Sequence, residues 1–173
     1  TPMANPAVET GSSAPATTLP ATDPVISNSP ESGLSDAEAA GLAFMREEEK
    51  LAYDVYMALY AQWGTPLFQN IARSELTHTQ SVKGLLDHYG LQDPSAGLAE
   101  GQFNDPELQA LYDQLTQQGS QSLEDALMVG AAIEEIDILD LQERIDTTDE
   151  LDILQVYGNL LAGSENHLRA FVS

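Results

Sequence analysis

Four stretches of the chain carry apolar residues at alternating steps of three and four, the spacing that gathers them on one face of an α-helix. The clearest is residues 68–89, whose stripe is apolar at both ends and has Glu75 and His78 in its middle. A charged side chain on a core-facing stripe is costly unless a partner compensates it. Glu75 and His78 stand three positions apart on the same face, so one metal ion could compensate both.

Helix-capping signals give the limits of the first two predicted helices. Ser35, with Glu38 three positions later, forms a capping box that predicts a first helix ending at about Gln62. Thr65 followed by Pro66 predicts the start of a second helix, because proline is favoured in the first turn. Only a few residues link these helices, so we expect them to pack as antiparallel neighbours.

Two further long helices are predicted in the C-terminal half. Ser122 begins the third, and Thr147 with Glu150 forms a capping box that predicts the start of the fourth. Residues 91–121 are punctuated by Gly, Pro, Asp and Asn, but residues 106–118 have the pattern of a short amphipathic helix. A connection of this length suits a long crossover. The sequence therefore predicts an all-α four-helix bundle with a long crossover that contains a short extra helix.

The N-terminal residues 1–33 differ in composition from the rest of the chain. They are rich in Pro, Ala, Ser and Thr and have no sustained apolar period, which is typical of a disordered or extended tail. Residues 34–173 are predicted to form one domain with its own core. Such a tail before an acidic domain without cysteine favours an exported protein, periplasmic or extracellular, whose signal peptide is already removed. A simple floppy terminus is the alternative.

The composition argues against several classes of function. The 173 residues include 28 acidic and 6 basic ones, a formal net charge of −22. Nucleic-acid binding relies on Lys and Arg to displace counterions from phosphates, so no nucleic-acid partner is expected. No run of about 18 apolar residues is present, so no membrane-spanning segment is predicted. The chain has no cysteine, and any metal would be bound by oxygen and nitrogen ligands.

All four long helices have ionisable residues near the middle of their stripes. On the first helix Glu48 lies on the core-facing line, whereas Glu47 and Glu49 are expected on solvated flanks. Each such residue taken alone has a simpler explanation, as a solvated glutamate or a packed histidine. Their coincidence favours a shared site, because the core-facing stripes of a bundle meet inside it. The predicted ligands are Glu48, Glu75, His78, Glu134, Asp137 and His167.

The ligand types restrict the metal that such a site would bind. Carboxylate and imidazole ligands without sulfur suit iron, manganese or zinc. Carboxylates can bridge two cations, and His leaves coordination positions open for water, dioxygen or peroxide. We therefore predict bound metal ions, iron or manganese before zinc or copper. His88, near the end of the second helix, is expected to be structural or at the surface.

Four phrases of the chain resemble an uncharacterised prokaryotic ferritin-like family of unknown function: REEEKLAYDVY, SELTHTQSVKGLLDHYGL, GAAIEEIDILDL and GSENHLRAF. The resemblance covers residues 34–171. More widely, the set of predicted ligands is similar to that of the carboxylate-bridged dimetal proteins of the ferritin and rubrerythrin superfamily. This resemblance implies a ferritin-like bundle, a di-iron or di-manganese site bridged by Glu75, and reaction with dioxygen or peroxide.

One position departs from the superfamily pattern, which has Glu-x-x-His on the last helix. This chain has Ser164 three residues before His167, so one usual bridging carboxylate is missing. Asp137 could substitute for it, or the site could hold one metal ion. His167 is also expected ~8 to 10 Å deeper along its helix than Glu134 along its own. A non-catalytic single-metal or metal-storage protein and a metal-free structural bundle therefore stay open, and a homodimer is compatible with the sequence.

Overall fold

A computed structural model of this protein describes residues 33–173, and the regular structure of these residues is helical. This part of the chain has no strand, and the four long helices with a short one in the crossover confirm the predicted all-α bundle. The predicted tail lies outside the described residues except for its last position. The helices are α1 (Asp36–Trp63), α2 (Pro66–His88), α3 (Pro106–Gly119), α4 (Leu123–Ile145) and α5 (Leu151–Phe171).

Capping contacts confirm the predicted starts of α1 and α4, and α2 begins at Pro66 as predicted, although the side chain of Thr65 makes no capping hydrogen bond. The Ser35 hydroxyl accepts a hydrogen bond from the backbone N–H of Glu38, whose carboxylate accepts one from the N–H of Ser35 at 2.9 Å. Helix α4 begins after Ser122, which caps the N–H of Asp125. Helix α1 ends at Gly64 with a φ of 64°, a left-handed conformation that glycine adopts without steric cost.

The capping box predicted for the last helix is wrong. Glu150 is the N-cap residue of α5, and no side chain caps this helix. The hydroxyl of Thr147 instead donates to the carbonyl oxygen of Arg144, and that of Thr148 donates to Glu38 at 2.6 Å. The two threonines therefore close α4 and attach the α4–α5 loop to the start of α1, contacts that local spacing does not reveal.

The crossover is fastened to the bundle by polar contacts with α1. The carboxylate of Glu47 accepts hydrogen bonds from the backbone N–H groups of Asn104 and Asp105, at 2.5 and 3.2 Å. At the far end of α3, the indole of Trp63 donates to the carbonyl oxygen of Gly119 at 2.9 Å. Helix α3 packs against α1 and α4, and α1 and α4 also pair with α2 and α5, respectively. Among the described residues, no helix is long and apolar enough for a membrane span.

Two apolar clusters form the core, one toward each end of the bundle. The first contains the aromatic side chains of Tyr56, Phe68 and Phe171, whose ring centroids lie 5.5 to 6.4 Å apart. The second contains aliphatic residues of all four long helices together with Tyr157. Because apolar packing fixes the helices above and below the middle of the bundle, side chains at that depth are held in position.

The close approach of α4 and α5 depends on Gly130. A Cβ atom at this position would lie 2.5 Å from Cζ of Phe171, too close for any real contact. Gly130→Ala is expected to lower the free energy of unfolding by about 1–3 kcal/mol through overpacking. Urea denaturation followed by circular dichroism measures this change.

Gly84→Ala is the matched control, since nothing lies within 4 Å of a Cβ atom there and the glycine is exposed on α2. The greater helix propensity of alanine should stabilise this variant by up to about 1 kcal/mol. Equal stabilities of the two variants would show that α4 and α5 do not pack as described.

Candidate metal centre

A layer of buried polar side chains separates the two apolar clusters. All four long helices contribute to this layer, at the depth where their apolar stripes are interrupted. Its members are 8% exposed or less, apart from the His167 side chain at 12%. They are Glu48, Glu49, Glu75, His78, Glu134, Asp137, Ser164 and His167.

The first potential ligand group joins α1 and α2. Nδ1 of His78 lies 2.9 Å from Oε2 of Glu75 and 3.3 Å from Oε2 of Glu49. One ligand atom from each of these three residues lies within 4.8 Å of the other two. Two carboxylates and an imidazole at this separation are able to coordinate a single cation.

The second potential ligand group joins α2, α4 and α5, and it uses Glu75 again. Nδ1 of His167 lies 2.7 Å from Oε1 of Glu75 and 3.5 Å from Oε2 of Glu134. These three residues also offer ligand atoms within 4.8 Å of one another. Glu75 thus presents one carboxylate oxygen to each histidine, and the rings of His78 and His167 stack with centroids 5.6 Å apart.

Several buried atoms of these two triads have at most ion-pair contacts and make no well-formed hydrogen bond. Among the described residues, none makes a well-formed hydrogen bond to Oε1 of Glu49, Oε1 of Glu75, or Nδ1 of either His78 or His167. Buried polar atoms are rarely left in this state, because each costs about 1–3 kcal/mol. These oxygen and nitrogen atoms indicate a site for a bound metal ion, which both kinds of atom can coordinate.

The carboxylates of the triads and their surroundings carry more negative charge than the two histidines can balance. Burial alone would raise the pKa of Glu75, but the imidazoles of His167 and His78 hold it at about 2. Burial together with the charges of Asp137 and Glu75 raises the pKa of Glu49 well above its usual range. Burial lowers the pKa of His167, and the carboxylates of Glu134 and Glu75 outweigh it and raise the value to about 9.

Three neighbouring residues fix the orientation of the site. The buried hydroxyl of Tyr56 donates to Oε1 of Glu134 at 2.6 Å, and lies 3.2 Å from the carbonyl oxygen of Gly130. The hydroxyl of Ser164 donates to Asp137. Gly163 makes room for the imidazole of His78, since a Cβ atom there would lie 2.6 Å from Nε2.

The structure brings together four of the six residues that the sequence predicted as ligands. Glu75, His78, Glu134 and His167 belong to the two triads, and the expected offset of His167 does not separate it from the others. Glu48 and Asp137 are buried in the same layer but belong to neither triad. Ser164 serves as a hydrogen-bond donor to Asp137. Of the two roles left open for His88, structural or at the surface, the structure supports the surface position, with a side chain that is 69% exposed.

The expectation that Glu47 and Glu49 are solvated is wrong. They are 4% and 1% exposed, because α1 is covered by α2 and α4 and also by α3 with its crossover. Glu49 supplies the α1 carboxylate of the first triad, and Glu47 binds the crossover backbone. Tyr56 was not predicted as part of the site. Its spacing of seven residues from Glu49 was the available signal, since residues seven apart share a helix face.

Residues 38–173 match the model of a family described as "Uncharacterized protein domain (DUF2202)". The uncharacterized protein MJ0754 of Methanocaldococcus jannaschii is 50% identical over 147 residues, which are 85% of this chain and 80% of that protein. The fold is similar to the crystal structure of hypothetical protein MJ0754 from Methanococcus jannaschii DSM 2661, with a TM-score of 0.79, 50% identity, and coverage of 80% of this chain and 79% of that chain. This chain therefore belongs to the DUF2202 family.

Proposed function

We propose that this chain is a ferritin-like metal-binding protein whose site holds two ions of iron or manganese, one in each triad. The observation that carries this proposal is the position of Glu75. Its two oxygens face two different histidines, at 2.9 and 2.7 Å, and its carboxylate belongs to both potential ligand groups. A carboxylate shared in this way is suited to bridge two cations.

Charge and ligand type both support a pair of divalent ions. The triads contain three carboxylates and two histidines. When ionised, these carboxylates carry a charge of −3, so two divalent cations would nearly neutralise a site that is buried from solvent. Oxygen and imidazole ligands without thiolates match the preferences of iron and manganese. Metal would also satisfy the buried oxygen and nitrogen atoms that lack well-formed hydrogen bonds.

We extend the proposal to redox chemistry with dioxygen or peroxide. Bound iron or manganese would supply the capacity to exchange electrons with such an oxidant. The protein contributes geometry and protection from water. Tyr56 holds Glu134 by its hydroxyl group, the histidines hold the shared Glu75, and apolar clusters close the site above and below. Hydrogen bonds to ligand side chains maintain ligand orientation in metal sites.

The stoichiometry of bound metal tests the proposed pair. Protein depleted of metal and then incubated with Mn²⁺ should bind two ions per chain, as measured by elemental analysis after gel filtration. Glu75→Gln removes the charge of the shared carboxylate and is expected to weaken the binding of both ions. Glu49→Gln should weaken the binding of one ion and leave the binding of the other unchanged, since the side chain of Glu49 belongs to one triad only. The loss of a group that only supports a ligand commonly costs about 10–100-fold in affinity, and the loss of a ligand should cost at least as much.

The control for these variants is Glu135→Gln. It removes the same charge from an exposed position on α4 next to Glu134, so its metal content should equal that of the wild type. One ion per chain in the wild type, lost equally in the Glu75 and Glu49 variants, would support a single-metal site instead. Absence of binding for Mn²⁺ and Fe²⁺ would contradict the proposal as a whole.

The pH dependence of stability gives a second test. The pKa of His167 is about 9 in the folded chain, against an ordinary value of 6.5. Its stabilising contribution is therefore fully present below pH 6.5 and is lost as the pH rises through 9. Burial raises the pKa of Asp137 to about 7. The ionisation of Asp137 therefore also lowers the stability of the folded chain as the pH rises toward 7. The Tm of the metal-free protein should thus fall between pH 6.5 and 9.

Metal-loaded protein should keep its Tm over this range, because metal ions replace the protons on the ligands. Circular dichroism melts in parallel, with and without a chelator, measure the difference. His167→Gln provides the matched variant, and the fall of its metal-free Tm above pH 6.5 should be reduced. A metal-free wild type whose Tm is constant or rises up to pH 9 would contradict the ion pairs described for His167.

A further inference from the structure

Glu48 is a buried carboxylate that the two triads do not use. The residue is 5% exposed, and among the described residues none donates a hydrogen bond to either of its carboxylate oxygens. A carboxylate in this position is unstable as an isolated charge. Its neighbour Glu47 is also buried but is satisfied by two backbone N–H groups. Of these two adjacent glutamates, only Glu47 is satisfied by backbone donors, and the polar group next to Glu48 is another carboxyl group, that of Asp140.

The side chain of Glu48 faces a small cavity between α1, α3 and α4. The cavity measures about 10 Å³, close to the space that a single water molecule needs. Apart from Glu48, its walls are apolar: Leu51, Leu111, Ile133 and Ile136. The carboxylate is therefore the polar group of an otherwise apolar opening in the bundle wall.

Two aspartates lie on α4 one turn beyond the residues that line this cavity. Asp137 and Asp140 follow Ile133 and Ile136 at a spacing of four residues, so they prolong the same helix ridge. Asp140 is partly exposed, whereas Asp137 is 6% exposed and its Oδ1 receives no hydrogen bond from the described residues. Both lie near enough to Glu48 for their charges, after burial, to raise its pKa.

One of these carboxylates, that of Asp137, also interacts electrostatically with the triads. The charge of Asp137 acts on Glu49 in one triad, and the charges of Glu75 and Glu134 act on Asp137. Within the described part of the chain, none of Glu48, Asp137 and Asp140 forms an ion pair with Lys, Arg or His. A series of carboxylates without ion-pair partners among the described residues therefore extends from the partly exposed Asp140, by way of Glu48 and Asp137, toward the triads.

We propose that Asp140, Glu48 and Asp137 form the entry route by which a divalent cation reaches the triads. The inference rests on the proposed metal-binding function and assigns to these residues transfer, not permanent coordination. Hard carboxylate oxygens bind Mn²⁺ or Fe²⁺ without sulfur or nitrogen ligands. A cleft of one charge sign also increases the rate at which ions of the opposite sign arrive.

The rate of metal loading tests this route separately from the final amount of bound metal. Metal-free protein is mixed rapidly with Mn²⁺, and the decay of the electron paramagnetic resonance signal of free Mn²⁺ gives the rate. Glu48→Gln keeps the shape of the side chain but removes the carboxylate that would bind a cation. It should slow loading about tenfold or more, while the number of ions bound at equilibrium and their affinity stay at wild-type values. Asp140→Asn, at a partly exposed position, should also slow loading and provides the test if Glu48→Gln does not fold.

Glu135→Gln is again the control, because it removes one charge from an exposed part of α4. Wild-type loading rates in Glu48→Gln and Asp140→Asn would overturn the route, as would equal slowing in Glu135→Gln. A reduced number of bound ions in Glu48→Gln would make Glu48 a permanent ligand and would also overturn it. Failure of the wild type to bind Mn²⁺ would contradict the proposed function itself, so the two failures are distinguishable.

Discussion

The contact on which the site depends is the sharing of one buried carboxylate, that of Glu75, by two histidines from different helices. His78 is on the same helix as Glu75, whereas His167 comes from the other helical hairpin. Their imidazoles lower the pKa of a carboxyl group that burial alone would raise. The interaction therefore joins the two halves of the bundle at a depth where unpaired charge is most costly.

The rest of the fold holds this polar layer in place. Apolar clusters on both sides of it set the spacing of the helices, and glycine is required where the spacing is smallest. Gly130 admits the ring of Phe171, and Gly163 admits that of His78. Burial, together with the negative charge of the neighbouring carboxylates, raises the pKa of Glu49 and Asp137 in this layer. Packing and electrostatics thus conflict in the absence of a cation, and a bound metal pair would remove the conflict.

The helical pattern was sufficient to predict the bundle, the short helix in the crossover and four members of the triads. It placed Glu48 on the core-facing line and Glu49 on a solvated flank, although both residues fit a stripe with steps of three and four. Glu49 instead contacts His78, and it shares a helix face with Tyr56, whose hydroxyl donates to Glu134 on α4. The wrong capping box has a similar cause, since Thr148 binds the distant Glu38. Both errors arose where tertiary partners, which local spacing does not encode, determine the role of a side chain.

The most direct measurement of the central claim is anomalous diffraction from crystals of the protein loaded with Mn²⁺ or Fe²⁺, with data collected on both sides of the absorption edge of the metal. The proposed pair predicts two anomalous peaks, one in the triad of Glu49, Glu75 and His78 and one in the triad of Glu75, Glu134 and His167. A single peak, peaks remote from the Glu75 carboxylate, or no peak in protein fully incubated with metal would contradict it.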